Sequence, residues 1–90
     1  MKITYDPVKR DKTLAERGLD FVDAIEVFLG PEFTFPDIRK EYGEQRFTTV
    51  GYFENRMTVV VWTPRDEGRR IISMRYANDR EIVRYKNQLG

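Results

Sequence analysis

Residues 46–76 read RFTTVGYF-ENR-MTVVVWTPRDEG-RRIISMRY, three apolar runs separated by two short polar segments. The runs Arg46–Phe53, Met57–Thr63 and Arg69–Tyr76 are rich in β-branched and aromatic residues, and the short polar segments Glu54-Asn55-Arg56 and Arg65-Asp66-Glu67-Gly68 join them. Hairpin spacing of this kind predicts three strands in an antiparallel meander. Strict alternation along the last strand places Arg69, Ile71, Ser73 and Arg75 on one face and Arg70, Ile72, Met74 and Tyr76 on the other. The first set is cationic and hydroxylated, whereas the second is mostly apolar. Arg65 lies just before the turn into that strand and Arg46 opens the first strand, so one sheet can gather several guanidinium groups. Guanidinium forks match phosphate geometry and stay charged, which points to a phosphate-bearing partner such as nucleic acid.

The flanking segments supply helices. Lys2–Tyr5 reads as a short strand, and Asp6-Pro7 offers an N-cap acceptor followed by proline at the first helical position, with Gly18 ending that helix. A second helix is expected from Asp20, with Asp23 placed as in a capping box and Phe21, Ala24, Ile25 and Phe28 at helical spacing; Gly30-Pro31 stops it. Glu32–Ile38 is expected to hold a short strand broken by Pro36, and the polar run Arg39–Glu44 reads as a turn. Asn78 and Glu81 open a last helix whose stripe is Ile82, Tyr85 and Leu89. The expected fold is α+β: two N-terminal helices and a C-terminal helix packed with a twisted antiparallel sheet of three to four strands, one sheet face covered and the other open.

The 90 residues suffice for one small domain, taken as residues 1–90, with a single modest core. Sixteen basic and fifteen acidic side chains leave a formal charge of +1, so any affinity for nucleic acid must come from segregation of charge rather than its excess. Acidic residues Glu16, Asp20, Asp23 and Glu26 lie in the first third, and arginines crowd Arg65–Arg84. The absence of cysteine removes disulfides, thiolate zinc sites and thiol nucleophiles, and suits a reducing cytoplasm. The absence of histidine removes the side chain that titrates nearest neutrality, so hydrolytic chemistry would fall to a retuned Lys, Tyr, Glu or Asp. No apolar run reaches membrane-spanning length, and Met1–Tyr5 lacks the apolar stretch of a signal peptide. Nothing in the sequence indicates a bound cofactor or metal.

Taken in order along the chain, the segments resemble the BrnT family of ribonuclease toxins from type II toxin–antitoxin modules. The resemblance runs from Tyr5-Asp6-Pro7-Val8-Lys9 through Gly18-Leu19-x-Phe21-x-x-Ala24-x-x-Val27-Phe28 and Gly43-Glu44-x-Arg46-Phe47 with Gly51. It continues in Val59-Val60-Val61-Trp62-Thr63-x-Arg65 and closes with Arg70-Ile71-Ile72-Ser73-x-Arg75-x-Ala77 and Glu81-x-x-x-Tyr85. Such a likeness implies a RelE-like fold, an RNA substrate, and a small ribbon-helix-helix antitoxin, BrnA-like, that joins the toxin in an autoregulatory DNA-binding complex.

It also implies cleavage by attack of the ribose 2′-hydroxyl on the adjacent phosphate, which needs neither metal nor protein nucleophile. Arg46, Arg65 and Arg75 are the candidates for stabilising the phosphorane, since each falls where the family carries arginine. Glu44 is a candidate for proton transfer or for orienting Arg46, and Lys9, Arg70, Ser73 and Tyr76 are candidates for RNA contact. Lys9, Tyr76 and Tyr85 are the other candidates for proton transfer, though Tyr85 shares the core stripe of the last helix, and Trp62 is a candidate stacking platform for a base. Three departures from the family pattern stand out. Thr13 replaces a common Asn, Glu16-Arg17 replaces Lys-His before Gly18, and Met74 replaces a common Ala. The alternative they open is a catalytically weakened homologue that acts mainly as an antitoxin-binding corepressor.

Overall fold

A computed structural model describes residues 1–89. Strand β1 (Lys2–Tyr5) leads into helix α1 (Pro7–Arg17), a 3-10 turn (Phe21–Asp23) and helix α2 (Ala24–Leu29). Strands β2 (Glu32–Pro36), β3 (Phe47–Phe53), β4 (Arg56–Arg65) and β5 (Gly68–Tyr76) follow, and helix α3 (Asp79–Leu89) ends the described chain. The expected meander is present, because β3, β4 and β5 pair antiparallel in sequence. The sheet is larger than expected: it has five strands in the order β1-β5-β4-β3-β2, and β1 pairs parallel with β5, so it is mixed.

Local signals account for the helix ends. The Asp6 carboxylate accepts from the Val8 N–H at 2.9 Å, Pro7 occupies the first turn, and Gly18 closes α1 in the left-handed region at φ 71°. The second helix differs from expectation. The Asp20 carboxylate does accept from the Val22 N–H, but the chain first makes a 3-10 turn and only then a six-residue α-helix. Asn78 and Glu81 form a reciprocal capping box at α3, with both hydrogen bonds at 2.9 Å. Pro36 ends β2 rather than breaking it. The β3–β4 turn places Glu54 and Asn55 at φ 49° and 65°, the paired left-handed geometry that matches strand twist.

Each sheet face has its own core. On one face, which we call the helical face, Leu19, Phe21, Ala24, Val27 and Phe28 pack onto Val60, Trp62, Ile71 and Met74. Gly51 permits this closeness, since a Cβ there would lie 2.8 Å from the Val27 Cγ1. The other face carries a smaller cluster of Val50, Met57 and Val59 with Leu89 of α3, flanked by Phe33, Phe35 and Tyr85. This second face is therefore partly roofed by α3, not fully open, and a groove remains beside the helix. Among the described residues no helix is long and apolar enough to cross a membrane.

One irregularity overturns the alternation expected for β5. Val61 pairs with Ser73 and Trp62 with Ile71, so Ile72 is an extra residue and the register shifts there. Arg69 and Ile71 consequently share the helical face with Met74 and Tyr76, whereas Arg70, Ser73 and Arg75 share the groove face with Thr63, Val61 and Val59.

Candidate active site

The floor of the groove follows from strand register. Phe35, Thr48, Val61 and Ser73 form one row across β2 to β5, and Phe33, Val50, Val59 and Arg75 form the next. Tyr85 and Glu81 of α3 make one wall, and Asp37, Ile38 and Arg39 from the segment after β2 make the other; together they enclose a cavity of about 430 Å³. An apolar floor with hydroxyls, cations and one phenol around it can seat a ribose-phosphate unit.

Arg75 is the cation of this cavity. Its Nη1 and Nη2 donate to the two oxygens of Glu81 at 2.7 and 2.8 Å, a fork-to-fork pair. The Arg75 side chain remains 41% exposed while Glu81 is 19% exposed, so the pair faces the cavity from the arginine side. The hydrogen bonds from Arg75 hold the Glu81 carboxyl down to about 2, and Glu81 in turn raises the pKa of Arg75. A carboxylate so acidic is a poor proton acceptor; its task is to fix the guanidinium. Because Glu81 also accepts from the Asn78 N–H, the cap of α3 and the aim of Arg75 are set by one side chain.

Arg39 was legible only as part of a polar turn, yet it lines the same cavity and is near enough to Arg75 for its charge to oppose that of Arg75. Its anchor is Asp37, whose side chain is 2% exposed and accepts from Arg39 Nε and Nη2 at 2.8 Å each. The Arg39 hydrogen bonds hold the Asp37 carboxyl below its ordinary range despite burial. Asp37 also accepts weakly from the Tyr42 hydroxyl at 3.4 Å, and its own N–H donates to the Arg46 carbonyl.

The remaining candidates divide into two groups. Arg46 and Arg65 meet on Glu44, which accepts from Arg46 Nε at 3.0 Å and from Arg65 Nη2 at 2.8 Å. Both bonds, that of Arg46 foremost, lower the Glu44 pKa and leave it unsuited to accept a proton near neutrality. Arg65 is six residues along β4 from Val59, the partner of Arg75, so about 20 Å separates the two ends of this face. The three arginines share a face but do not meet at one point. Arg70 shares that face opposite Thr63, and Ser73 lines the Arg75 cavity.

Lys9 and Tyr76 lie elsewhere. Lys9 is exposed on α1, a helix tied to the 3-10 turn through Arg10 and Asp20 and in contact with β5. Tyr76 packs against the helical-face core under the Arg56 guanidinium at 3.6 Å. Trp62 is also on the helical face; it is 7% exposed and its indole N–H donates to Thr49 Oγ1 at 2.8 Å, so it offers no stacking surface to a base. Arg17, at the site of the Glu16-Arg17 departure, donates to the Met74 carbonyl at 3.1 Å and ties α1 to β5. Nothing in the fold gives Thr13 a distinguishable role, and Met74 fills the helical-face core. Among the described residues no three Asp, Glu, His or Cys side chains gather as metal ligands.

Comparison with known proteins gives this geometry its context. No curated protein matches the chain. Residues 5–81 match the family described as the ribonuclease toxin BrnT of type II toxin–antitoxin systems, a span that includes every groove residue except those of α3 beyond Glu81. The chain therefore belongs to the BrnT family of ribonuclease toxins.

Proposed function

We propose that this chain is a metal-independent endoribonuclease whose reaction is centred on Arg75. The observation that supports the reading best is the pairing of a half-exposed Arg75 with a less exposed, acidic Glu81 inside a cavity that also holds Arg39 and Ser73. In the reaction the 2′-oxygen bonds to phosphorus and the bond from phosphorus to O5′ breaks. One proton leaves the 2′-hydroxyl and one reaches O5′, so the products carry a 2′,3′-cyclic phosphate and a 5′-hydroxyl.

The phosphorane that forms on the way carries extra negative charge. Arg75, fixed before substrate arrives, meets that charge without reorganising, and Arg39 supplies a second guanidinium. Ser73 and Thr48 offer hydroxyls to the sugar or phosphate, while Val59 and Val61 keep the floor dry. Glu44 positions Arg46 and Arg65 toward the neighbouring backbone. Tyr85, which lines the cavity, is the group best placed to relay a proton. The chain acts in the cytoplasm on cellular RNA, stalling translation and growth. A small ribbon-helix-helix antitoxin restrains it and represses the shared operon through its own DNA-binding domain.

The test is cleavage of a defined RNA by the purified chain in EDTA, with analysis of the product ends. Cyclic phosphate and 5′-hydroxyl termini formed in EDTA are expected, and Arg75→Ala is expected to lose roughly 10²–10³ in rate, by analogy with removal of one oxyanion donor. Activity that disappears on chelation and returns with magnesium contradicts the mechanism. A chain that folds, binds antitoxin and never cleaves RNA belongs to the corepressor reading instead.

A further inference from the structure

A second cavity, of about 390 Å³, adjoins the first across a wall shared by Pro36, Asp37 and Ile38. Its surface is made by Lys40, Glu41, Tyr42, Glu44 and Arg46 from the segment between β2 and β3. This segment is built, not slack: Asp37 anchors it through Arg39, Tyr42 and the Arg46 carbonyl, and Gly43 donates to the Glu41 carboxylate at 3.0 Å. The Tyr42 ring carries the Arg46 guanidinium at 4.1 Å and the Lys40 ammonium at 5.2 Å, so aromatic and cationic groups are already stacked here.

The two cavities differ in charge. In the first, Arg75 and Arg39 are matched by Glu81 and Asp37. In the second, Lys40 and Arg46 face three carboxylates, Asp37, Glu41 and Glu44, and the exposed Glu41 has only the Gly43 N–H as a hydrogen-bond partner among the described residues. A phosphate gains little in such a place. A flat heterocycle extends the Arg46–Tyr42 stack by taking the place of the Lys40 ammonium, the more distant of the two cations, and a carboxylate oxygen accepts from an exocyclic amino group.

We propose that the Asp37–Arg46 segment is a nucleobase subsite, in which the base next to the scissile phosphate stacks on Tyr42 and a base bearing an exocyclic amino group donates to Glu41. The proposal rests on the ribonuclease reading, and it extends it: Asp37 couples the two cavities, because the same carboxylate holds Arg39 beside Arg75 and tethers the Tyr42 hydroxyl. Cytosine, adenine and guanine carry the amino donor; uracil does not. The subsite therefore gives the enzyme a preference against uridine at the flanking position.

The experiment uses the purified full chain with two single-stranded probes, an oligocytidylate and an oligouridylate, each fully 2′-O-methylated so that it binds but is not cleaved. Fluorescence anisotropy is measured on wild type, Tyr42→Ala, Tyr42→Leu and Tyr42→Phe, with thermal melting to confirm folding. Tyr42→Leu keeps bulk without the π face, and Tyr42→Phe keeps the π face without the hydroxyl. Wild type is expected to prefer the cytidine probe. Tyr42→Ala and Tyr42→Leu are expected to weaken its binding about ten-fold or more, a stacking-sized loss, while Tyr42→Phe stays within about two-fold of wild type. Glu41→Gln is expected to erase the preference for cytidine over uridine.

Cleavage of the unmodified cytidine RNA separates this claim from the one beneath it. Equal binding by wild type, Tyr42→Ala and Tyr42→Leu, with cleavage that still depends on Arg75, overturns the subsite and leaves the ribonuclease reading intact. Tyr42-dependent binding without any cleavage supports the subsite and overturns the ribonuclease reading. No binding of either probe and no cleavage by a folded wild type overturn both.

Discussion

Strand β5 sends arginines to both faces of the sheet, and Arg69 on one face and Arg75 on the other are used in opposite ways. On the helical face, Arg69 lies over the rings of Trp62 at 4.0 Å and Phe28 at 4.4 Å, with Phe47 stacked on the far partner Trp62 at 4.9 Å. Its Nη1 is buried with no hydrogen-bond partner among the described residues, and burial lowers its pKa. On the groove face, Arg75 is gripped by both oxygens of Glu81, and its pKa is raised. The lesson is that an arginine is read by what surrounds it. Aromatic faces and a desolvated nitrogen make Arg69 a packing residue, whereas an oriented, partly exposed fork makes Arg75 a tool for phosphate.

The contrast extends to the side chains around each arginine, and the largest expected effect lies on the helical face. Phe21 is fully buried at the centre of that core, edge-on to Tyr5 at 6.1 Å. Phe21→Ala should cost about 3–5 kcal/mol of stability in urea denaturation, a large share of the total for a domain of this size. Tyr85→Phe, on the groove face, should leave the denaturation midpoint nearly unmoved. Equal losses from both would erase the division of labour between the faces.

Next in size is Glu81→Gln, which keeps the shape of the wall and removes its charge. Charged hydrogen bonds of this kind are worth about 1.5–3 kcal/mol, so cleavage should fall about ten-fold to a hundred-fold with Arg75 still in place. If Glu81 served only the cap of α3, stability would fall and the rate per folded molecule would not. Arg46→Ala and Arg65→Ala should each weaken RNA binding less than Arg75→Ala slows turnover, because Glu44 holds them toward the far end of the face.

The same carboxylate sets an acid limit. Glu81 has a folded pKa of about 2 against an ordinary value of 4.5, so the unfolded chain takes up its proton first as pH falls. The stability Glu81 confers is thus complete above about 4.5 and is lost as pH drops from there toward 2. Denaturation along this range should show a steep acid limb in wild type and a shallower one in Glu81→Gln. Asp37 adds to the limb in the same direction, since its pKa is also lowered. The smallest effect belongs to Lys9→Ala: an exposed side chain on α1 should change stability by less than about 0.5 kcal/mol and leave RNA binding within about two-fold.

What the sequence revealed and what it hid follow from the range of the interactions. Asp6 capping α1, Gly18 ending it, and Asn78 with Glu81 opening α3 are contacts within a few residues, and side-chain type is enough to read them. The β3–β5 meander was legible for the same reason, because its turns are short. The pairing of Lys2 with Gly68 was not, since parallel strands far apart in sequence leave no local mark. Nor was the extra residue at Ile72, where two adjacent isoleucines satisfy either face; the register shift moved Arg69 to the helical face and left Ser73 and Arg75 together. Arg75 and Ser73 could be picked as a pair from their spacing. Arg39 could not, because Asp37 falls in the expected strand Glu32–Ile38 and Arg39 in the polar turn after it, and the cavity they line appears once β2, β5 and α3 are assembled.

If Arg75 acts on phosphate and Arg69 on packing, single-turnover RNA cleavage by Arg75→Ala and Arg69→Met, beside their melting curves, will set the two apart. Arg75→Ala should melt near wild type and lose roughly 10²–10³ in cleavage rate. Arg69→Met should cleave near the wild-type rate, with stability close to wild type, because it replaces a partly buried cation, one of whose guanidinium nitrogens has no partner, by an apolar chain of similar length that keeps the contact with Phe28 and Trp62. Full cleavage by Arg75→Ala together with an inactive but folded Arg69→Met would contradict the account.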